Sequence, residues 1–333
     1  MLLSSLPRVP LAFTPTPLEP APRLSAALGG PRILIKRDDQ TGLALGGNKA
    51  RKLEFWLGEA MSQGADLVVT TGDVGSNHAR MTAAAARRVG VTPVLILSGR
   101  RAPLPQGNLL LDGLLGADIR YIEDDSDEAA EQAMAAAAAA LREAGHRPYI
   151  IPGGGSGATG DAGYALAFLE FLQQTIDQQL RVDRILVATG SCGTQAGLAL
   201  GAKLTHAGLQ VLGISVSRPA DAVRQRVAAI ATDCARSRLG VDLALTEAEV
   251  DVTDNYIGPG YGVPTEAGLA AMRLAAATEG LILDPVYTGK CLAGLIDLVR
   301  RGEIGKSETV VFWHTGGAPG IFAHAEALAG QTT

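Results

Sequence analysis

The sequence predicts an α/β protein built on mostly parallel sheets with helices on both faces. Three observations carry that prediction. Short apolar runs alternate with helical stretches along nearly the whole chain, and such alternation gives parallel sheets. The run Ile185-Leu186-Val187-Ala188-Thr189 leads through Gly190-Ser191-Cys192-Gly193 into an apolar helix, a strand–turn–helix unit. Aromatic residues are only 4% of the chain while hydrophobic residues are 47%, and the abundant alanine and glycine suit close helix–sheet packing.

Taken in order, the elements begin with a proline-rich arm. Pro7, Pro10, Pro15, Pro17, Pro20 and Pro22 predict an extended segment laid over the surface. The apolar run Arg32–Lys36 reads as the first strand. A helix follows over Lys49–Ser62, with Leu53, Trp56, Leu57 and Ala60 at helical spacing. A strand at Leu67–Thr71 precedes a helix of small residues at Asn77–Val89, for which Ser76 and Asn77 are natural N-caps. Strands at Pro93–Leu97 and Ile119–Ile122 flank a helix at Leu109–Leu115. The alanine-rich stretch over Asp127–Ala144 reads as a strong helix rather than a low-complexity tail. Further strands are expected at Tyr149–Ile151, Ile185–Ala188, Val211–Val216 and Thr309–Trp313. Further helices are expected at Gly160–Gln179, Thr194–Ala207, Pro219–Ser237, Pro264–Thr278, Lys290–Arg301 and Ile321–Ala327.

Length and charge bound the function. The 333 residues suffice for two modest domains or one large one. A net charge of −5 argues against general nucleic-acid binding, which relies on basic surface. No apolar run reaches membrane-spanning length, and no signal peptide is expected. Cys192, Cys234 and Cys291 are far apart, odd in number and without C-x-x-C spacing, which fits a reducing cytoplasm and predicts no zinc site. The five histidines are scattered, so no metal centre is expected.

Two segments carry chemistry. In Gly46-Gly47-Asn48-Lys49 a lysine follows flexible glycines at a helix start. Such a lysine is either a solvated surface charge or a desolvated amine suited to Schiff-base formation. The Gly190–Thr194 turn opens a helix, where free N–H groups and the helix dipole favour a phosphate. Its glycine spacing is not that of a dinucleotide-binding turn, and no G-x-x-x-x-G-K-[ST] occurs, so a dehydrogenase or an NTP-binding loop is disfavoured. A Schiff-base lysine and a phosphate cradle together suggest pyridoxal 5′-phosphate.

The segments GGNKARKLE at 46–54, GSNHAR at 75–80, ATGSCGTQAG at 188–197, GPGYG at 258–262, DPVYTGK at 284–290 and HTGG at 314–317 span nearly the whole chain. In that order the chain resembles the D-cysteine desulfhydrase / 1-aminocyclopropane-1-carboxylate deaminase family of fold-type II pyridoxal-phosphate enzymes. The resemblance implies two open twisted sheets flanked by helices. It implies a large cofactor-binding domain of residues 1–52 plus 161–333, with a small α/β domain of residues 53–160 inserted in it. It also implies a small amino-acid substrate and a homodimer.

Residue roles follow from the same resemblance. Lys49 tethers the cofactor and acts as base, and Lys52, three positions on, lies near the phosphate with Gly190, Ser191, Cys192, Gly193 and Thr194. Ser76 and Asn77 hold the substrate carboxylate, Asn77 also contacts the cofactor, and His78 matches the desulfhydrase form where deaminases often carry glutamine. As bland alternatives, Ser76 and Asn77 are N-caps and His78 is a structural histidine. Tyr287 lies against the cofactor ring and relays a proton, and Tyr261 is the second tyrosine at the substrate. Gly75 and Met81 stand where the family usually or often has glutamine, and so bear on the substrate pocket. Thr288 and Thr315 discriminate within the family: deaminases put glutamate and leucine there, the glutamate facing the pyridine nitrogen. A threonine offers only a neutral hydroxyl, which suits loss of a good leaving group better than ring opening. The expectation is therefore α,β-elimination of D-cysteine or a related β-substituted amino acid to pyruvate, ammonia and sulfide. L-cysteate sulfo-lyase is the nearest alternative, then the deaminase. A non-catalytic pyridoxal-phosphate-binding protein is the rival from another class.

Overall fold

Among the described residues, ten strands form two sheets whose carboxyl ends face each other across one cavity. The computed structural model describes residues 5–329, so the outermost residues of the expected large domain lie outside it. The strands are β1 (Leu18–Pro20), β2 (Arg32–Arg37), β3 (Leu67–Asp73), β4 (Thr92–Ser98), β5 (Asp118–Ile122), β6 (Pro148–Ile150), β7 (Arg184–Thr189), β8 (Gln210–Ser215), β9 (Asp251–Thr253) and β10 (Thr309–His314). One sheet has the order β1-β2-β10-β7-β8-β9, the other β5-β4-β3-β6. Every pairing is parallel except that of β1 with β2. All four strands of the smaller sheet come from between β2 and β7 in the chain. Each sheet reverses its strand order once, between β10 and β7 and between β3 and β6. Ligands of open α/β sheets bind at such switch points, beyond the carboxyl ends of the strands.

The helices follow from the sequence pattern. They are α1 (Pro22–Ala27), α2 (Lys49–Ser62), α3 (Asn77–Val89), α4 (Gly107–Leu114), α5 (Asp127–Glu143), α6 (Ala158–Asp177), α7 (Gly193–Thr205), α8 (Ala220–Asp233), α9 (Glu266–Glu279), α10 (Thr288–Arg300), α11 (Gly320–Ala323) and α12 (Ala325–Ala329). In the alanine-rich α5, Ser126 caps the first turn by accepting from the Ala129 N–H, and Met134, Ala137 and Ala138 form the stripe buried on the smaller sheet. The central strands β7 and β10 are buried on both faces, which is why they read as unbroken apolar runs. The helix expected at Ile321–Ala327 is two short ones, broken at His324.

The arm at the start of the chain is anchored rather than merely laid over the surface. The Leu11 and Ala12 N–H groups donate to Glu54 Oε1 at 2.9 and 3.0 Å, and Arg8 pairs with Glu54 Oε2 at 2.6 Å. The arm then supplies the edge strand β1 and the helix α1, neither of which the sequence pattern announced.

Beneath the arm lies a buried charge cluster centred on Asp38. Its carboxylate accepts from Arg51 Nε and Nη2, Thr16 Oγ1 (2.8 Å), Tyr164 Oη (2.6 Å) and Trp313 Nε1 (2.8 Å). Burial alone would raise its pKa, but the Arg51 charge and these donors hold it below the usual carboxylate range. Arg51 also bonds Glu170, which pairs with Lys36 at 2.6 Å. Arg51 belongs to the first turn of α2, Tyr164 to α6 and Trp313 to β10, so one carboxylate ties three elements. The α2 start needs a bare backbone as well: Gly46 has φ 72°, and a Cβ there would lie 1.8 Å from the Asp39 carbonyl oxygen.

Removing one partner of a buried pair leaves the other charge uncompensated. Asp38→Ala is therefore expected to cost about 3–5 kcal/mol. Asp118→Ala, which breaks an exposed pair with Arg120, is expected to cost under about 1 kcal/mol. Urea unfolding curves measure both, and equal losses would contradict the central place given to Asp38.

Candidate active site

The cavity between the sheets has a volume of about 1250 Å³. Thr71, Gly72 and Asp73 at the end of β3, Ser98 at the end of β4, and Pro152, Gly153 and Gly154 after β6 form one wall. Thr189 and Gly190 at the end of β7, Ser217 after β8 and Thr315 after β10 form the other. Both switch points therefore open into it.

Lys49, at the start of α2, reaches this space, and its Nζ donates to the Gly154 carbonyl at 3.1 Å. Gly154 has φ 68°, and a Cβ there would fall 2.3 Å from Ser191 Oγ, so the chain must be bare where it crosses the two loops. Desolvation first, then the charge on Lys52, draws the Lys49 pKa well below its ordinary range. An amine so placed is short of protons and able to act as nucleophile or base.

Beyond β7 the turn enters α7 with Cys192 in a left-handed conformation and no side-chain cap. The first-turn N–H groups of a helix have no partner inside it. Ser191, Cys192, Thr194 and Gln195 line the cavity here, and Asn48 Nδ2 donates to Thr194 Oγ1 at 2.9 Å, tying α2 to this turn. The α3 start offers a second helix N-terminus. Ser76 Oγ accepts from the Ala79 N–H at 3.1 Å, and Asn77 Oδ1 accepts from Asn108 Nδ2 at 2.9 Å, which leaves the Asn77 amide N–H groups without a partner among the described residues.

A third set is phenolic. Tyr261 Oη lies 2.5 Å from Tyr287 Oη and donates to Asp73 Oδ1 at 3.0 Å, the two rings meeting edge to face. Desolvation, and next the Asp73 carboxylate, push the Tyr287 pKa upward, so both hydroxyls keep their protons at neutral pH. Tyr287 is positioned by Asp284, which accepts from its backbone N–H at 2.8 Å.

A proton-poor amine, an uncapped helix N-terminus and a cavity of this size fit pyridoxal 5′-phosphate. Lys49 would hold its carbonyl carbon, and the Gly190–Thr194 turn its phosphate. The model of one known family, described as "Pyridoxal-phosphate dependent enzyme", matches residues 9–316. The chain belongs to this family. It is 43% identical over 327 residues to a D-cysteine desulfhydrase of Klebsiella pneumoniae subsp. pneumoniae, covering 97% of each chain. It is 42% identical over 328 residues to a D-cysteine desulfhydrase of Salmonella newport, again covering 97% of each. A crystal structure of a homologue of ACC deaminase superposes with a TM-score of 0.91 at 38% identity, over 99% of this chain and 97% of that one. Threonine deaminase isoform 2 from Solanum lycopersicum, with a TM-score of 0.65 at 19% identity over 98% of this chain and 86% of that one, shares the fold. This pyridoxal-phosphate enzyme has the fold-type II architecture, with two mostly parallel sheets flanked by helices.

The expected site residues divide by position. Lys49, Ser76, Asn77, His78, Gly190, Ser191, Cys192, Thr194, Tyr261, Tyr287 and Thr315 all line the cavity. Three others expected at the cofactor stand behind its wall. Lys52 is fully buried, pairs with Asp161 at 3.5 Å and donates to Ser156 Oγ at 3.0 Å. Burial draws Lys52 below its ordinary range and lifts Asp161 above its own, each against the pull of their ion pair. The Gly193 N–H donates to Ser156 Oγ at 3.2 Å rather than into the cavity. The Thr288 hydroxyl, buried at the start of α10, donates to Asp284 Oδ1 at 2.6 Å, so it does not face the cavity as expected.

His78 lines the wall but is held from behind. Thr70 Oγ1 lies 2.8 Å from His78 Nε2 and donates to the Ile151 carbonyl, so Nε2 carries the ring proton. Desolvation draws the ring's pKa well below its ordinary range and keeps it neutral. Gly75 and Met81 do not line the cavity. The Gly75 N–H donates to Asp73 Oδ2 at 2.9 Å, and Met81 is buried in the core with Leu43, Ala50 and Leu53. Asp73 and the Gly153-Gly154 backbone are site elements that sequence reading passed over. Their signal was position: a polar residue at a strand end just before Gly75-Ser76-Asn77, and the glycine triplet Gly153-Gly154-Gly155 just after a strand.

Lys49→Ala is expected to fold, to lose the visible absorbance of lysine-bound cofactor and to lose turnover. Lys52→Met is expected instead to lose stability, by about 3–5 kcal/mol, because Asp161 is left buried and unpaired. Full turnover by Lys49→Ala without added amine, or a Lys52→Met variant as stable as wild type in urea, would contradict these assignments.

Proposed function

We propose that this enzyme is a D-cysteine desulfhydrase: it breaks the carbon–sulfur bond of D-cysteine and, with water, yields pyruvate, ammonia and sulfide. Two curated relatives that match nearly full length carry that name, which supports the substrate. The observation that carries the reaction type is the charge of the cavity wall. No cavity-lining residue from the larger sheet's side bears a carboxylate. Asp284, next to Tyr287, is buried and committed to the Val286, Tyr287 and Thr288 N–H groups. The residues that line the cavity at the β10 end are Thr315 and Gly316.

When bound, pyridoxal 5′-phosphate supplies a conjugated ring that takes up electron density from the amino acid's α-carbon. Without a carboxylate to hold a proton on that ring, the wall favours loss of a good leaving group such as thiolate over opening of a strained carbon ring. In this reading Lys49 removes the α-proton, its amine kept unprotonated by desolvation. Ser76, the Asn77 amide and the α3 N-terminus receive the substrate carboxylate. Tyr261 and Tyr287, backed by Asp73, hold the proton that meets the departing sulfur. The insert of residues 53–160 contributes the Ser76–Asn77 turn and Asp73, and the larger domain the tyrosines.

The reading extends to assembly and location. A homodimer is supported by apolar side chains exposed on adjoining helices, Leu110 and Leu114 on α4 (54% and 80%) and Phe322 on α11 (68%). The helices meet where Gly107 approaches Pro319. A cytoplasmic location is supported by three free, buried cysteines, and cell fractionation checks it.

Keto-acid release should be followed with D-cysteine, L-cysteine, L-cysteate and 1-aminocyclopropane-1-carboxylate. Pyruvate from D-cysteine is expected to lead in kcat/KM by about tenfold or more, roughly 1.4 kcal/mol of the barrier. Preferential 2-oxobutanoate from the cyclopropane substrate would overturn the reading. For the assembly, sedimentation velocity at micromolar concentration is expected to give a dimer that Leu114→Glu weakens, and a wild-type monomer would refute it.

A further inference from the structure

A guanidinium of the cavity has no counter-charge among the described residues. Arg226, on α8, lines the same cavity as Ser191 and Cys192. Its Nε is buried without a hydrogen-bond partner, and no carboxylate among the described residues lies within ion-pair distance of it. Two other cations act on the same turn, and both are paired: Lys52 with Asp161 at 3.5 Å, and Arg218 with Asp127 at 2.5 Å. Burial pushes the Cys192 thiol up to about 11, and of the charges that oppose this shift Arg226 acts most strongly. The guanidinium and the turn that opens α7 border the same cavity.

A half-buried guanidinium without a partner is costly, and an uncapped helix N-terminus adds positive potential to the same spot. Such a place calls for an anion with more than one charge. A phosphate monoester fits in charge and in geometry, because the planar guanidinium presents paired N–H donors to its oxygens. We infer that Arg226 is the counter-charge this chain supplies to the cofactor phosphate, the role that the family resemblance had given to Lys52. Lys52 is already neutralised behind the wall, whereas Arg226 lies on it. The inference rests on the family's cofactor and not on the substrate reading.

The test compares pyridoxal 5′-phosphate with pyridoxal, which lacks only the phosphate. Holoenzyme is diluted, and retention is read from the visible absorbance of the lysine-bound cofactor. Arg226→Gln is expected to weaken retention of the phosphorylated form by about tenfold or more, the usual scale for a lost charge-assisted hydrogen bond. It is expected to bind pyridoxal as wild type does. Arg226→Lys, which keeps the charge but not the paired donors, should show a smaller loss with the same selectivity, and it carries the test if the glutamine variant does not fold. Wild-type affinity for the phosphorylated form in either folded variant, or an equal loss for both forms of the vitamin, would overturn the inference.

Discussion

The structure hangs on a carboxylate that water never reaches. Asp38 is fully buried, and its cost of desolvation is met by Arg51 and three neutral donors from separate parts of the chain. Arg51 stands two residues after Lys49, so the clamp that holds the α2 start also sets where the Lys49 amine emerges. Gly46 brings the chain against the Asp39 backbone just upstream, and Glu54 pins the arm just downstream. The lysine is thus held from both sides by polar contacts that take no part in chemistry. That rigidity suits the role proposed for Lys49, because a catalytic group must be kept within a fraction of an ångström of its working place.

The electrostatics of the cavity divide into charges that are spent and charges that are available. Lys52 and Asp161 cancel each other behind the wall, yet Lys52 still lowers the proton affinity of Lys49. One lysine thereby conditions the other without competing for ligands. His78 is likewise neutral and fixed through Thr70, a shape on the wall rather than a titrating group. Ser156 joins these layers, accepting from Lys52 and from the Gly193 N–H and donating to Ser191.

Much of this was legible in the sequence, because backbone needs leave residue signatures. The parallel strands announce themselves as apolar runs, the α7 turn by its glycines, and the α2 start by Gly46-Gly47 before Lys49. What sequence could not reveal is which side of a wall a side chain takes. Lys52 and Thr288 sit beside true cavity residues in the chain, but one helical turn or one hydrogen bond to Asp284 directs them elsewhere. Short edge strands were also hidden. β1 ends in Pro20 and β9 carries Asp251 after two glutamates, so neither has the apolar run that marks a strand. Arg226 gave no motif at all, since its meaning lies in the absence of a partner in space.

The link between Tyr261, Tyr287 and Asp73 joins parts of the chain that belong to different sheets. The carboxylate ends a strand of the smaller sheet, while both phenols come from segments packed with the larger one. Any parting of the sheets separates the carboxylate from the hydroxyls and dissolves the chain of protons. This hydrogen-bonded set is consequently a property of the closed molecule and not of any one residue. A movement that opened the cavity between the sheets would break this set of hydrogen bonds in the same stroke.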